Sequence, residues 1–287
     1  MLWRSLVGAA MLQALLWASG CVIIVGDGEW EGWGSRVMSE KVTETVPLDA
    51  ALVRKLDVET HNGEIKFDGS TDGPSQVVIT KRAGGKSRDD AADALQSLQT
   101  FVEPESDGTY RVGYRWTTLK KSRWSAHVSY EIHAPGSVAF DAETHNGSID
   151  VRGSASDVDV LTHNGPVHIE SSGATLAAET HNGPIRAITA AANLQLSTHN
   201  GGIDATLTRA GALSGEIETH NGGVDVQVRE GLSTKLECST HNGGVSAEAI
   251  VTPVTVNRRE LSATIGGGEG KLEVSTHNGS VRVRGSG

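Results

Sequence analysis

Hydrophobic and polar positions alternate along most of this chain, and the alternation is keyed to one tetrapeptide. Thr-His-Asn-Gly begins at Thr60, Thr144, Thr162, Thr180, Thr198, Thr219, Thr240 and Thr276, at spacings of 84, 18, 18, 18, 21, 21 and 36 residues. With the copies aligned on threonine, the position four residues earlier holds Leu56, Phe140, Val158, Leu176, Leu194, Gly215, Leu236 and Leu272. Five residues after threonine stand Ile65, Ile149, Val167, Ile185, Ile203, Val224, Val245 and Val281. Two further on come Phe67, Val151, Ile169, Ala187, Ala205, Val226, Ala247 and Val283, and the residue between these two columns is mostly polar. A period of two on both sides of Asn-Gly predicts strands with an inner and an outer face, joined by a turn.

Asn-Gly often makes a two-residue hairpin. A chain of hairpins, however, places no demand for the same polar residues in every copy. A solenoid does, because each repeat forms one coil and like residues stack about 4.8 Å apart in parallel register. The pattern predicts a mainly all-β, single-chain parallel β-solenoid, or β-helix, of about 18–21-residue coils. About eight coils would make a rod roughly 40 Å long. Asn62, Asn146, Asn164, Asn182, Asn200, Asn221, Asn242 and Asn278 are expected to form an amide-to-amide ladder, with glycine at a corner that leaves no room for a side chain. No Phe, Tyr or Trp follows Phe140, which predicts a narrow interior of Val, Ile, Leu, Ala and Thr.

The ends of such a rod need caps. Thr264-Ile265-Gly266-Gly267-Gly268 breaks the rhythm before the last tetrad and is the C-terminal candidate. The 84-residue gap predicts a small α/β cap at the other end. Ser87-Arg88-Asp89-Asp90 introduces a short amphipathic helix through Gln99, and strands are expected at Tyr110–Trp116 and Ala126–His133. The organisation read from the chain is 1–20 leader, 21–45 linker, 46–139 first coil with its cap insertion, and 140–287 solenoid.

The leader reading rests on Met1 to Arg4 followed by an apolar run from Ser5 to Trp17, about 13 residues and too short to span a bilayer. Ala18-Ser19-Gly20-Cys21 resembles a bacterial lipobox, which implies cleavage before Cys21 and lipid attachment to it. Val22 after the cysteine is compatible with outer-membrane sorting where a cell has two membranes. Cys238 is then left without a disulfide partner and occupies an inward column with Val58, Val160, Leu196, Ile217 and Val274. It is read as inert. Trp30 and Trp33 in the linker suit a membrane interface.

Composition narrows the classes. The chain of 287 residues has a hydrophobic fraction of 37%, 4% aromatic residues and a formal charge of −10, or −10 − 1 = −11 once Arg4 is removed with the leader. These values argue against a coiled coil, a multi-span membrane protein and a general nucleic-acid binder. Of 11 histidines, eight lie in the tetrads.

The chain resembles the putative-adhesin, DUF4097-type family of bacterial β-strand-repeat proteins. Val58-Glu59-Thr60-His61-Asn62-Gly63-Glu64-Ile65, the helix near 89–99, Tyr130-Glu131-Ile132-His133-Ala134-Pro135 and Thr276-His277-Asn278-Gly279-Ser280-Val281 carry the resemblance. It covers about residues 40–287 and implies a β-solenoid, a cell-envelope location and no known catalytic residues.

Candidate chemistry lies in two places. The tetrad histidines are expected to point outward as a stripe, beside Glu59, Glu143, Leu161, Glu179, Ser197, Glu218, Ser239 and Ser275. Three readings stay open for it: a structural stacking ladder, a pH sensor, or a site for zinc or another divalent metal at His145, His163, His181, His199, His220 and His241. The second place is residues 109–130, which carry Arg111 and no acidic residue. There Arg115, Trp116, Lys120, Lys121, Arg123 and Trp124 form a candidate loop for envelope polysaccharide or anionic lipid. No nucleophile or paired-carboxylate motif stands out, so no cofactor and no enzyme are expected; a polysaccharide-active β-helix is a remote alternative. The functional expectation is a lipid-anchored, non-catalytic envelope scaffold or adhesin-like module, with partners among membrane lipid, polysaccharide or another surface protein and no nucleic acid.

Overall fold

A computed structural model describes residues 24–25, 32–33, 36–70, 73–248 and 252–285. Each tetrad ends one strand and turns the chain into the next. The strands Lys55–Asn62, Ala139–Asn146, Val158–Asn164, Thr175–Asn182, Asn193–Asn200, Ser214–Asn221, Leu232–Asn242 and Gly270–Asn278 lie in one 13-stranded sheet. The shorter strands that follow them, from Ile65–Asp68 to Val281–Gly285, lie in a 14-stranded sheet. Within both stacks tetrad coils pair in parallel and in register, threonine on threonine and asparagine on asparagine. This is the parallel solenoid that the alternation predicts.

The alternation sets the core. Leu56, Val58, Ile65, Phe67, Ile149, Leu176, Ile185, Leu194, Ile203, Leu272 and Val283 are buried in one continuous cluster that runs from the cap to the last coil. The tetrad threonines are buried too, and each satisfies its hydroxyl on the coil before it: Thr162 donates to the Gly147 carbonyl at 2.9 Å and Thr180 to the Gly165 carbonyl at 3.0 Å. Burying a hydroxyl without such a partner costs about 1–3 kcal/mol. The tetrad glycine is required by close approach of neighbouring backbones. A Cβ at Gly147 would lie 1.8 Å from the Gly63 carbonyl oxygen.

The far end differs from the sequence expectation. The spatial order runs from the Thr219 coil to the Thr276 coil and then to the Thr240 coil, so the last strand pair is inserted between its two predecessors. Gly211–Ala212 still pairs with Leu232–Ser233 on a third wall, and Leu232–Asn242 then diverges to admit Gly270–Asn278. The expected cap at Thr264–Gly268 is part of a hairpin. Its strand Glu260–Ile265 pairs antiparallel with Leu232–Asn242, and Thr252–Val256 pairs antiparallel with Glu260–Ile265 in turn, so the hairpin covers that edge. The coil they cover is the Thr240 coil, not the Thr276 coil.

At the near end the cap follows expectation in outline. The helix spans Arg88–Gln96 and starts at Ser87, whose hydroxyl accepts from the Asp90 backbone N–H. It ends earlier than Gln99, because Leu98–Pro104 is a strand paired antiparallel with Thr109–Trp116. Thr109–Trp116 and Ser125–His133 flank the first coil, one in each sheet, and make an extra turn that lacks the tetrad. Arg36–Met38 and Val42–Pro47 are not linker but strands paired with Gln76–Gly85. Cys21, the apolar leader and Trp30 lie outside the described residues. Among the described residues, no helix is long and apolar enough to cross a membrane.

Candidate functional site: an ordered corner stripe

In every coil the tetrad histidine follows an inward threonine, so strand alternation turns its side chain outward. All eight tetrad histidines are exposed. Parallel in-register stacking then brings their rings together. His61, His145, His163, His181, His199, His220, His277 and His241 form one column, in that order, with centroids 4.6–4.8 Å apart and ring planes within 1–6° of parallel. The inserted last coil is visible here, since His277 sits between His220 and His241.

A second column runs beside it. The Asn146 amide donates to Asn62 Oδ1, Asn164 to Asn146, Asn182 to Asn164 and Asn200 to Asn182, each at 2.8 Å. Asn221 continues onto Asn200 at 2.9 Å, Asn278 onto Asn221 and Asn242 onto Asn278 at 2.8 Å. The chain of amides points one way and terminates where Asn62 donates to the Ala126 carbonyl at 3.0 Å. The expected asparagine ladder is therefore present through all eight copies. Ala126, its terminal acceptor, has no signal in the sequence, because it lies in the extra turn that carries no tetrad.

This order defines what the stripe offers chemically. Parallel rings at this spacing keep equivalent nitrogens 4.6–4.8 Å apart, whereas two zinc–nitrogen bonds of about 2.0–2.1 Å span at most about 4.2 Å. One ion shared by neighbouring stacked rings therefore requires them to leave the stack. Among the described residues, no group of three or more His, Cys, Asp or Glu side chains is arranged to hold a metal ion. As they stand, the ring edges form a regular row of hydrogen-bonding nitrogens flanked by the exposed carboxylates of Glu59, Glu143, Glu179 and Glu218. At the row's cap end, partial burial, then His145 and Lys120, hold the His61 imidazole below its ordinary pKa.

The basic loop has a different character from its sequence. Acidic side chains from other elements meet its cations. Asp90, on the helix, accepts from Arg123 Nε at 2.7 and 2.8 Å and from Trp124 Nε1 at 3.0 Å. These bonds, with the Lys86 backbone N–H first among them, hold the Asp90 carboxyl far below the usual range. Lys121 stands 4.0 Å from Asp90 and 3.9 Å from Asp93, with its ammonium 4.4 Å from the Trp124 ring. Arg115 pairs with Glu103 at 2.9 Å, and Arg111 lies near Asp57 and Glu105. Trp124 is buried and packs on Trp116 at 5.6 Å. Of the six loop residues singled out in the sequence, the structure brings Lys121, Arg123 and Trp124 together around Asp90. It leaves Lys120 outward, next to Leu119, which is 95% exposed. The sequence marks Asp90 only as part of the helix start, and Leu119 lies in no motif.

Cys238 is buried, and burial pushes its thiol up to about 12, as suits an inert inward side chain. On the second sheet an open groove of about 450 Å³ is lined by Asp204, Asp225, Ser246, Ser280 and Arg282. Asp204 and Asp225 are neighbours across two strands there, and Arg284 is bound to Asp225.

Among solved structures the chain has distant resemblances. A "putative cell adhesion protein" from Clostridium sporogenes is 10% identical, with a TM-score of 0.39 over 85% of this chain and 99% of that one. A "putative adhesin" from Bacteroides fragilis is 14% identical, TM-score 0.39, over 85% and 96%. Another from Parabacteroides distasonis is 9% identical, TM-score 0.45, over 86% and 98%. No curated protein matches the chain in sequence. The family model described as Toastrack DUF4097 matches residues 28–284, which spans the cap, every coil and the inserted C-terminal strands, and the chain belongs to that family.

Proposed function

We propose that this protein is an adhesin-type binding module of the bacterial cell envelope, anchored through Cys21 and non-catalytic. The observation that carries the reading is the corner stripe. Seven successive ring stacks and a continuous amide chain fix eight outward imidazoles in one row. A row held this rigidly loses little freedom on binding, which favours recognition of an extended partner by many weak contacts. The exposed carboxylates beside it favour a polar, hydroxyl-rich or cationic partner over an anionic one.

The test has two parts. Cells producing the chain are labelled with a fatty-acid probe and fractionated; label and chain should travel together in the membrane fraction, and Cys21→Ser should abolish both. Purified protein is then assayed for binding to envelope polysaccharide and to intact cells. Combined His181→Ala, His199→Ala and His220→Ala substitutions should cut binding at least tenfold. Binding unaffected by these changes would refute the stripe as the binding face. Release of reducing ends from bound polysaccharide would refute the non-catalytic reading.

A further inference from the structure

Asn-Gly is the dipeptide most prone to lose its side-chain amide, because glycine puts no side chain in the way of its own nitrogen as that atom approaches the asparagine Cγ. The chain carries this pair in eight tetrads, each time as His-Asn-Gly, so the local sequence gives all eight a similar intrinsic rate. The structure does not treat them alike. In seven tetrads the attacking nitrogen is already engaged. The glycine N–H donates to the asparagine backbone carbonyl of the next coil at 3.0–3.1 Å, from Gly63 onto Asn146 through to Gly279 onto Asn242. The same seven asparagines hold their side-chain amides from both sides, Oδ1 accepting from the next coil and Nδ2 donating to the coil or cap before.

The eighth pair lies at the end of the stack. The Thr240 coil has no tetrad coil beyond it, and the hairpin turn that covers it satisfies only the positions on either side. The Thr240 N–H donates to the Arg259 carbonyl at 2.9 Å and the Val245 N–H to the Arg258 carbonyl at 3.0 Å. Among the described residues, nothing accepts from the Gly243 N–H and nothing donates to Asn242 Oδ1. Exposure does not make the difference, since Asn164, Asn182 and Asn200 are exposed as Asn242 is. We propose that Asn242 is a site of spontaneous deamidation. The Gly243 nitrogen gives up its proton and bonds to Asn242 Cγ, the Cγ–Nδ2 bond breaks and ammonia leaves; water then opens the cyclic imide to aspartate or isoaspartate. Neither carboxylate can donate to Asn278 Oδ1, and isoaspartate also re-routes the main chain away from the carbonyl that Gly279 uses. The change therefore enters at the far end and moves inward, with Asn278 next. Nothing starts at the near end, where Ala126 and Asn146 hold Asn62 and Gly63.

The purified chain is kept folded at mildly alkaline pH in water enriched in heavy oxygen, then digested, and each tetrad peptide is scored by mass spectrometry for conversion with label uptake. A parallel sample is kept unfolded in urea. A net hydrogen bond slows a step that must break it about fivefold, and two such bonds separate Asn242-Gly243 from its counterparts, so Asn242 should convert at least about tenfold faster than Asn164, Asn182 or Asn200. In urea the eight rates should converge. Asn242→Ala takes the donor from Asn278 Oδ1 but leaves the acceptor of Gly279, so it should raise the rate at Asn278 about threefold or more, with Asn164 unchanged. Equal rates at Asn242 and Asn164 in the folded chain, an interior site converting first, or the same ranking in urea would overturn the proposal. A rise at Asn164 as large as that at Asn278 in the variant would overturn the inward order.

Discussion

The asparagine column makes a quantitative prediction about additivity. Asn146 and Asn164 each take part in two amide–amide bonds, donating one and accepting one, and they share the bond between them. A net hydrogen bond contributes about 1 kcal/mol. Asn146→Ala or Asn164→Ala alone therefore removes two bonds and should cost about 2 kcal/mol each. The double variant removes three bonds rather than four and should cost about 3 kcal/mol. Asn146 and Asn221 share no bond, so that double variant removes four and should cost about 4 kcal/mol. Urea denaturation followed by far-ultraviolet circular dichroism reads all of these, provided the slope with denaturant is unchanged. Equal costs for the adjacent and the distant pair would refute the picture of discrete pairwise bonds. An adjacent double costing more than the sum of its singles would refute it in the opposite sense.

The neighbouring glycines Gly201 and Gly202 should respond very unequally to alanine. A Cβ at Gly201 meets the Gly183 carbonyl oxygen at 2.0 Å, whereas at Gly202 the nearest atom is 3.3 Å away, so Gly201→Ala should cost about 3 kcal/mol or more and Gly202→Ala less than about 1 kcal/mol in the same denaturation assay. Tyr130 is buried and its hydroxyl has no partner among the described residues; Tyr130→Phe should raise stability by about 1 kcal/mol, and a lowered melting temperature would show that the hydroxyl is satisfied. His61 binds its proton less readily folded than unfolded. Its contribution is thus complete above the ordinary value near 6.5 and is lost as pH falls below it. Lys120→Ala should raise the His61 pKa in an NMR titration and flatten that limb. Deleting residues 266–287 removes strands from inside the stack, so it should abolish cooperative unfolding rather than shorten a still-folded rod by one coil.

The coils were legible because every copy repeats the same inward and outward columns, and parallel stacking follows from that identity. The same identity hid their order at the far end. When Thr219, Thr240 and Thr276 present equivalent columns, any of them can stack on any other, and the tetrads alone do not choose. The choice is made outside the tetrad. Six residues before the threonine, Gly270 passes so close to the Leu213 carbonyl oxygen that a Cβ would lie 1.9 Å from it. Gly266 and Gly268, at φ 57° and 67°, turn the chain back toward the gap. The glycine run read as a simple interruption is what makes the reversal possible. The basic loop misled for a related reason. Its neutralising partners, Asp90 and Asp93, sit on a helix some 30 residues earlier, and linear charge counting does not bring them together.

The inserted coil also bears on how the stripe works. Its histidine completes a column that would otherwise break between His220 and His241, and its asparagine closes the amide chain at the same level. The two ladders continue through the insertion with spacing and polarity unchanged. The inward columns tolerate Val, Ile, Leu, Ala, Phe and Cys, whereas the corner is Thr-His-Asn-Gly in all eight coils. Threonine, asparagine and glycine each have a backbone or amide partner that explains them. Histidine's partners are the rings above and below it, stacked 4.6–4.8 Å apart on the solvent face.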